Sequence, residues 1–209
     1  MTGVSARPGM AKPGYNWRVV DIVVAALISI AGGVIFWAWD QMALVATPMS
    51  ASYPPLSGII AGGWMIPAVL GMLIVRKPGA AIFCETVAAT SELFMGSQYG
   101  TTVLISGVLQ GLGAELIFLA FVYKKFNLPV SLLAGAGAGL FCGLNDSFLP
   151  WGWNIAYEPI DKLAYIAFCT VSGAVIAGAL AWIATRGLAK TGVLSAFASR
   201  KAASESVFS

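Results

Sequence analysis

The stretch VVDIVVAALISIAGGVIFWAWDQMALV, residues 19–45, decides the fold. It is apolar or small almost throughout, with Asp21 near one end and Asp40 near the other. As a helix it rises about 40 Å, enough to cross the roughly 30 Å hydrocarbon core of a bilayer. Five more apolar stretches follow, at 56–75, 79–95, 101–123, 128–149 and 162–186. The composition agrees. The chain of 209 residues is 58% apolar and 10% charged, where an ordinary soluble domain carries roughly 25% charged residues, and its mean hydropathy is +0.83. The sequence therefore predicts an all-α protein, an integral membrane bundle of six transmembrane helices. Its domains read as an N-terminal tail, 1–18, a six-helix substrate-binding domain, 19–186, and a C-terminal tail, 187–209, both tails cytoplasmic. The opening MTGVSARPGMAKPGYN has neither a hydrophobic signal core nor a small-residue cleavage site, so it reads as a retained tail. The polar end, KTGVLSAFASRKAASESVFS, reads as disordered or interfacial.

Lys and Arg set the orientation. Arg7, Lys12 and Arg18 precede the first span, Arg76 and Lys77 lie between the second and third, and Lys124 and Lys125 between the fourth and fifth. Arg186, Lys190, Arg200 and Lys201 follow the sixth, so eleven of the twelve basic residues share a side and only Lys162 opposes them. The positive-inside bias then places both termini in the cytoplasm and the loops 46–55, 96–100 and 150–161 outside. Basic residues dispersed in pairs do not suggest nucleic-acid binding.

Several chemistries lack their components. There is no histidine, and Cys84, Cys142 and Cys169 stand alone in three spans, so no metal site and no disulfide is indicated. GLAKTG at 187–192 lacks the spacing of a phosphate-cradling loop. The chain reads as no enzyme and no ATPase, and it calls for no cofactor.

Small residues recur every four positions: Ala25, Ser29 and Gly33; Gly58 and Gly62; Gly107 and Gly111; Gly135, Gly139 and Gly143; Ala174 and Gly178. Such stripes let helix backbones approach closely in lipid. They serve one bundle, and one of them is available for a partner subunit.

The acids carry the functional signal. Glu85, Glu92, Glu115 and Asp146 fall within spans that hold no Lys, Arg or His, and an intramembrane carboxylate normally faces a bundle interior or a water-filled cavity. Protonation, an inorganic cation or a cationic organic ligand would each balance them. By depth, Glu92 and Asp146 lie about one turn from the outer helix ends. Trp37, Trp39, Tyr53, Gln98, Tyr99, Asn145, Trp151, Trp153 and Tyr157 reach the same level. An aromatic belt accounts for the rings, but not for carboxylates and amides gathering with them. A pocket for a flat, cationic ring accounts for both. Gln110 reads as its floor. Glu115, about 140° around the same helix, ties helices together or meets a cytoplasmic partner.

Three stretches, WRVVDIVVAALISIAGGVIFWAWDQ, GIIAGGWMIPAVLGMLIVRKPGAAIFCETVAATSELFMGSQYG and GVLQGLGAELIFLAFVYKKFNLPVSLLAGAGAGL, carry a resemblance over about residues 17–140. The runs RKPGAA, GSQYG and LQGLGAEL are its most specific parts. The chain resembles the YkoE-like S components of energy-coupling-factor (ECF) transporters, which take up thiamine or hydroxymethylpyrimidine (HMP). That resemblance implies a substrate-capture subunit working with a transmembrane T component and two cytoplasmic ATPases, and a ligand with an aminopyrimidine ring. Thiamine adds a permanent thiazolium charge, for which Glu92 is the expected counter-charge. Asp146 and Asn145 would add polar contacts, and Trp37, Trp39, Tyr99 and Trp151 the stacking walls. Many S components present Ala-x-x-x-Ala on the first helix to the T component, and here the nearest register is Ala25, Ser29 and Gly33. A proton- or sodium-coupled secondary carrier would also use buried acids, but six spans without a clear internal repeat favour it less.

Overall fold

The computed structural model describes residues 15–208. Arg7 and Lys12, and with them most of the N-terminal tail, lie outside the described residues. Among those described, every regular element is helical. Helix α1 is Val19–Ala46. A 3₁₀ segment, Pro54–Met65, runs directly into α2, Ile66–Val75. Then come α3, Ala80–Phe94, α4, Thr102–Ala120, and α5, Leu128–Phe148. The last long rod is α6, Pro159–Ser172, a π-helical stretch, Gly173–Ala179, and α7, Leu180–Lys190.

Five of these rods are long and apolar enough to cross a bilayer: Val19–Ala46, Pro54–Val75, Thr102–Ala120, Leu128–Phe148 and Pro159–Lys190. Helix α3 is shorter, 15 residues, or about 22 Å. It is held by its neighbours more than by its length. Its N-cap, Gly79, offers no side chain, so the first turn takes its acceptor from α4: Glu115 Oε1 accepts from Gly79 N (2.7 Å) and Oε2 from Ala81 N (3.0 Å). Tyr123 Oη donates to the same carboxylate at 3.0 Å. Glu85, fully buried on α3, does likewise for α2, accepting from Ala68 N at 2.7 Å. An anionic acceptor at a helix N-terminus satisfies orphan N–H groups and complements the helix dipole. Two of the four membrane-embedded acids are thus employed in tying helices together.

The centre of the bundle is α2. Val69, Met72, Leu73, Ile74 and Val75 are all buried, as expected of a helix that is apolar all round. The small-residue stripes close the contacts around it. A Cβ at Gly62 would collide with the Ser172 carbonyl, and one at Gly139 with that of Cys169. These contacts seat the 3₁₀ segment and α5 against the sixth rod.

The stripe expected to dock a partner is used the same way. Ala25 and Ser29 are fully buried, and a Cβ at Gly33 would strike Ser91 and the Ala88 carbonyl on α3. Ala25, Ser29 and Gly33 therefore do not form an external docking face. The outer face of α1 instead carries large side chains such as Leu27 and Ile30.

A twelve-residue 3₁₀ run is unusual, because its hydrogen bonds are poorer than those of an α-helix. Here three neighbours hold its carbonyls. Trp39 Nε1 from α1 donates to Ile60 O at 2.9 Å, Ser172 Oγ from α6 donates to Ile59 O, and Gln110 from α4 reaches Trp64 O. Ser172 Oγ also accepts from Gly62 N at 2.9 Å.

At the end away from the 3₁₀ segment's start, the C-terminal residues fold back on the bundle. Leu194 and Phe197 pack on Ile74, Ser199 Oγ donates to Ile74 O (2.7 Å), and Arg76 grips Glu205 with both guanidinium nitrogens (2.7 and 2.6 Å). The segment read from sequence as a disordered or interfacial tail is thus attached. Two aromatic and aliphatic anchors in a polar run suffice, with Arg76 and Arg186 as clamps. At the same end Asp21 closes the first turn of α1, accepting from Arg18 N at 2.8 Å and pairing with Lys77.

Candidate functional site

At the opposite end the helix termini splay around a cavity of about 780 Å³, within the size range of small-molecule sites. Its wall is built from the C-terminal turns of α1 and α3, the loop 47–53, the 3₁₀ segment, α4, α5 and the 149–158 loop. Apolar side chains such as Phe36, Leu56, Ile60 and Val103 make up most of it, and two carboxylates, Glu92 and Asp146, enter it. Among the described residues that line it there is no Lys, Arg or His.

The two acids differ in how far the protein already engages them. Asp146 accepts from Tyr165 Oη (2.8 Å), Asn145 Nδ2 (2.8 Å) and Cys142 Sγ (3.6 Å). Asn145 spends its other N–H on Ser106 Oγ of α4 (3.0 Å) and accepts from Trp151 Nε1 (3.0 Å). It orients Asp146 and joins α5 to α4 without lining the cavity. Glu92 accepts from one donor outside the acids, Ser97 Oγ at 2.6 Å. Glu92 is therefore the carboxylate with more capacity left for a ligand.

Aromatic rings stand between the two acids. Trp64 and Tyr99 meet edge to face at 5.9 Å, and Tyr99 and Trp153 at 5.2 Å. Tyr157 and Tyr165 continue the wall at 6.3 Å. Burial pushes the Tyr99 phenol up to about 12, with Asp40, Glu92 and Asp146 adding to the effect. Tyr99 is thus a neutral ring at any physiological pH. On the floor, in the amide orientation that satisfies its neighbours, Gln110 donates to Glu85 Oε1 (3.2 Å) and Trp64 O (3.3 Å).

Of the residues expected from sequence, Glu92, Gln98, Tyr99, Gln110 and Asp146 line the cavity. Asn145 and Trp151 stand behind Asp146. Trp37 and Trp39 are corrections: Trp37 is 38% exposed on the outside of α1, and the Trp39 ring lies on Gly63 with its N–H committed to Ile60 O. Trp64 and Trp153 take the wall positions instead. Trp64 was hidden by its place inside an apolar run. The 3₁₀ segment rises about 2.0 Å per residue, not 1.5 Å, and turns faster, which shifts both depth and facing. No group of three or more His, Cys, Asp or Glu able to hold a metal ion occurs among the described residues.

Comparison with known proteins gives the family. Residues 20–141 match the family described as "ABC-type cobalt transport system, permease component". The chain is 37% identical over 185 residues, 88% of its length and 90% of the relative's, to a Bacillus subtilis (strain 168) protein provisionally named HMP/thiamine permease protein YkoE. A crystal structure of an S component of an ECF transporter superposes with a TM-score of 0.81 at 36% identity. It covers 89% of this chain and 92% of that one. An all-helical membrane fold with a ligand-sized cavity at one end defines a substrate-binding transport subunit. The chain belongs to the YkoE-like S components of ECF transporters, and it is a multi-pass protein of the plasma membrane. Its relatives are transporter components, not enzymes.

Proposed function

We propose that this subunit captures thiamine, or its HMP precursor, from outside the cell, and that a T component and two cytoplasmic ATPases drive its import. One observation carries the reading: an apolar and aromatic cavity holds two carboxylates and no basic residue among its described lining. Such a wall accepts a flat ring on its aromatic faces and a positive charge on its acids. The name of the Bacillus subtilis relative fits this chemistry. The cobalt of the family description fits it less, because a bound metal ion needs a convergent set of donors and the described residues bring none together.

In this reading all six rods span the membrane, α3 included, and both termini are cytoplasmic. Of the described basic residues only Lys162 belongs to the cavity end, where it lies over the Phe148 ring. Arg18, Arg76, Lys77, Lys124, Lys125 and those after α6 belong to the other. The positive-inside bias then opens the cavity outward. Glu92 is the principal counter-charge. Asp146 and Gln98 add polar contacts, Asn145 and Trp151 support Asp146, and Trp64, Tyr99 and Trp153 provide the walls.

Reconstitution separates this reading from a secondary carrier. The lone chain in vesicles is expected to bind thiamine without concentrating it under a proton or sodium gradient. Addition of the T component and ATPases with ATP should produce accumulation. Gradient-driven uptake by the lone chain would replace the proposal with the carrier.

A further inference from the structure

Behind the cavity wall lies a carboxylate with no cation beside it. Asp40, on α1, is fully buried. Trp64 Nε1 donates to its Oδ1 at 2.9 Å, and Ser97 Oγ lies 3.4 Å from its Oδ2. The same Ser97 hydroxyl is 2.6 Å from Glu92 Oε1. A hydroxyl has one hydrogen, and the short contact commits it to Glu92. Asp40 Oδ2 therefore faces the same oxygen without receiving its hydrogen. Two like charges this near each other and away from water do not both persist. A single proton held by the pair makes the second contact favourable, because Asp40 then donates to Ser97 Oγ while Ser97 donates to Glu92.

The surroundings supply no other positive charge. The titratable groups facing the pair are Glu85, nearly two turns away on α3, and Tyr99 in the loop before α4. Both are acids. Trp64 from the 3₁₀ segment and Gln98 from the loop are neutral.

We propose that Asp40 and Glu92 act as one proton-sharing pair, which keeps a single proton while the cavity is empty and releases it when an organic cation binds. Asp40 never touches the ligand. It is a positioning residue that makes the Glu92 site demand either a proton or a cation. The charges balance: the pair carries one negative charge with its proton, and two with the proton gone and one cation beside it. This rests on the reading of the ligand as thiamine-like, and it sets a rule of selectivity. The affinity for a cation rises with pH by about tenfold per unit while the pair is releasing its proton, because binding and proton loss are linked. A neutral analogue binding the same rings shows no such dependence.

Isothermal titration of the purified full chain with thiamine at about pH 7, in imidazole and in phosphate buffer, counts the protons, since these buffers differ in ionisation enthalpy. The expected release is about one proton per thiamine, with none for HMP. Asp40→Asn should still bind thiamine, with less proton release and a shallower dependence on pH, because the like charge that holds the proton is gone. Equal heats in both buffers for the wild type, or unchanged release in Asp40→Asn, would overturn the proposal and leave thiamine capture standing. If Asp40→Asn does not fold, the wild-type heats decide alone. Absence of any thiamine binding would instead remove the functional reading.

Discussion

Glu92→Gln is expected to weaken thiamine binding by about 2–4 kcal/mol, the scale for breaking a desolvated charge pair, or roughly 30- to 900-fold in Kd. HMP, which has the ring without the thiazolium charge, should lose far less. Glutamine keeps the shape and can still accept from Ser97 Oγ, now 2.6 Å from Glu92, so the substitution isolates charge. The choice of Glu92 over Asp146 follows from their partners. Three donors hold Asp146, whereas Ser97 alone donates to Glu92. Isothermal titration of both ligands against wild type and variant makes the comparison. Equal losses for the two ligands would mean that Glu92 reads the pyrimidine by hydrogen bonding. No loss for either would remove it from the site.

The second large effect separates stability from binding. Glu115→Ala strips the acceptor from Gly79 N and Ala81 N at the start of α3, and from Tyr123 Oη. Buried N–H groups left without partners cost about 1–3 kcal/mol each. A total of about 2–4 kcal/mol is therefore expected, after partial relaxation. Thermal unfolding in detergent should show the lower Tm, while the Kd for thiamine in the folded fraction stays within about twofold of wild type. A large loss of affinity at unchanged Tm would place Glu115 in ligand binding. The contrast matters because Glu92 and Glu115 look alike in residue type: both are acids in apolar helices that hold no basic residue.

What sequence could and could not supply follows from that contrast. Hydrophobic length located the rods, because a membrane span is a property of many residues at once. Depth brought Glu92, Gln98, Tyr99 and Asp146 to one level and set Gln110 beneath them as a floor, and these residues line the cavity. That Glu115 ties helices together was one of two readings open from sequence, and the role of Glu85 was not legible, since the partners of both are backbone N–H groups on other helices and leave no mark in residue type. The same depth count failed for the walls. Trp37 and Trp39 sit at the right height but face away or are spent on packing. Trp64 sits on a 3₁₀ segment that an α-helical count cannot place. The small-residue stripe on α1 posed a similar ambiguity. Its spacing permits close approach, but whether to a partner or to α3 depends on which helix lies beside it.

Capture of a thiamine-like ring and cation in the cavity that Glu92 and Asp146 enter is the central expectation. The most direct test is thermal unfolding of the purified chain, without partners, in the presence of thiamine, HMP, riboflavin or cobalt(II). A ligand that binds only the folded state raises the midpoint in proportion to its affinity. Thiamine or HMP is expected to raise it, and riboflavin and cobalt(II) are not. Stabilisation by cobalt(II) or riboflavin, with no response to thiamine or HMP, would contradict it.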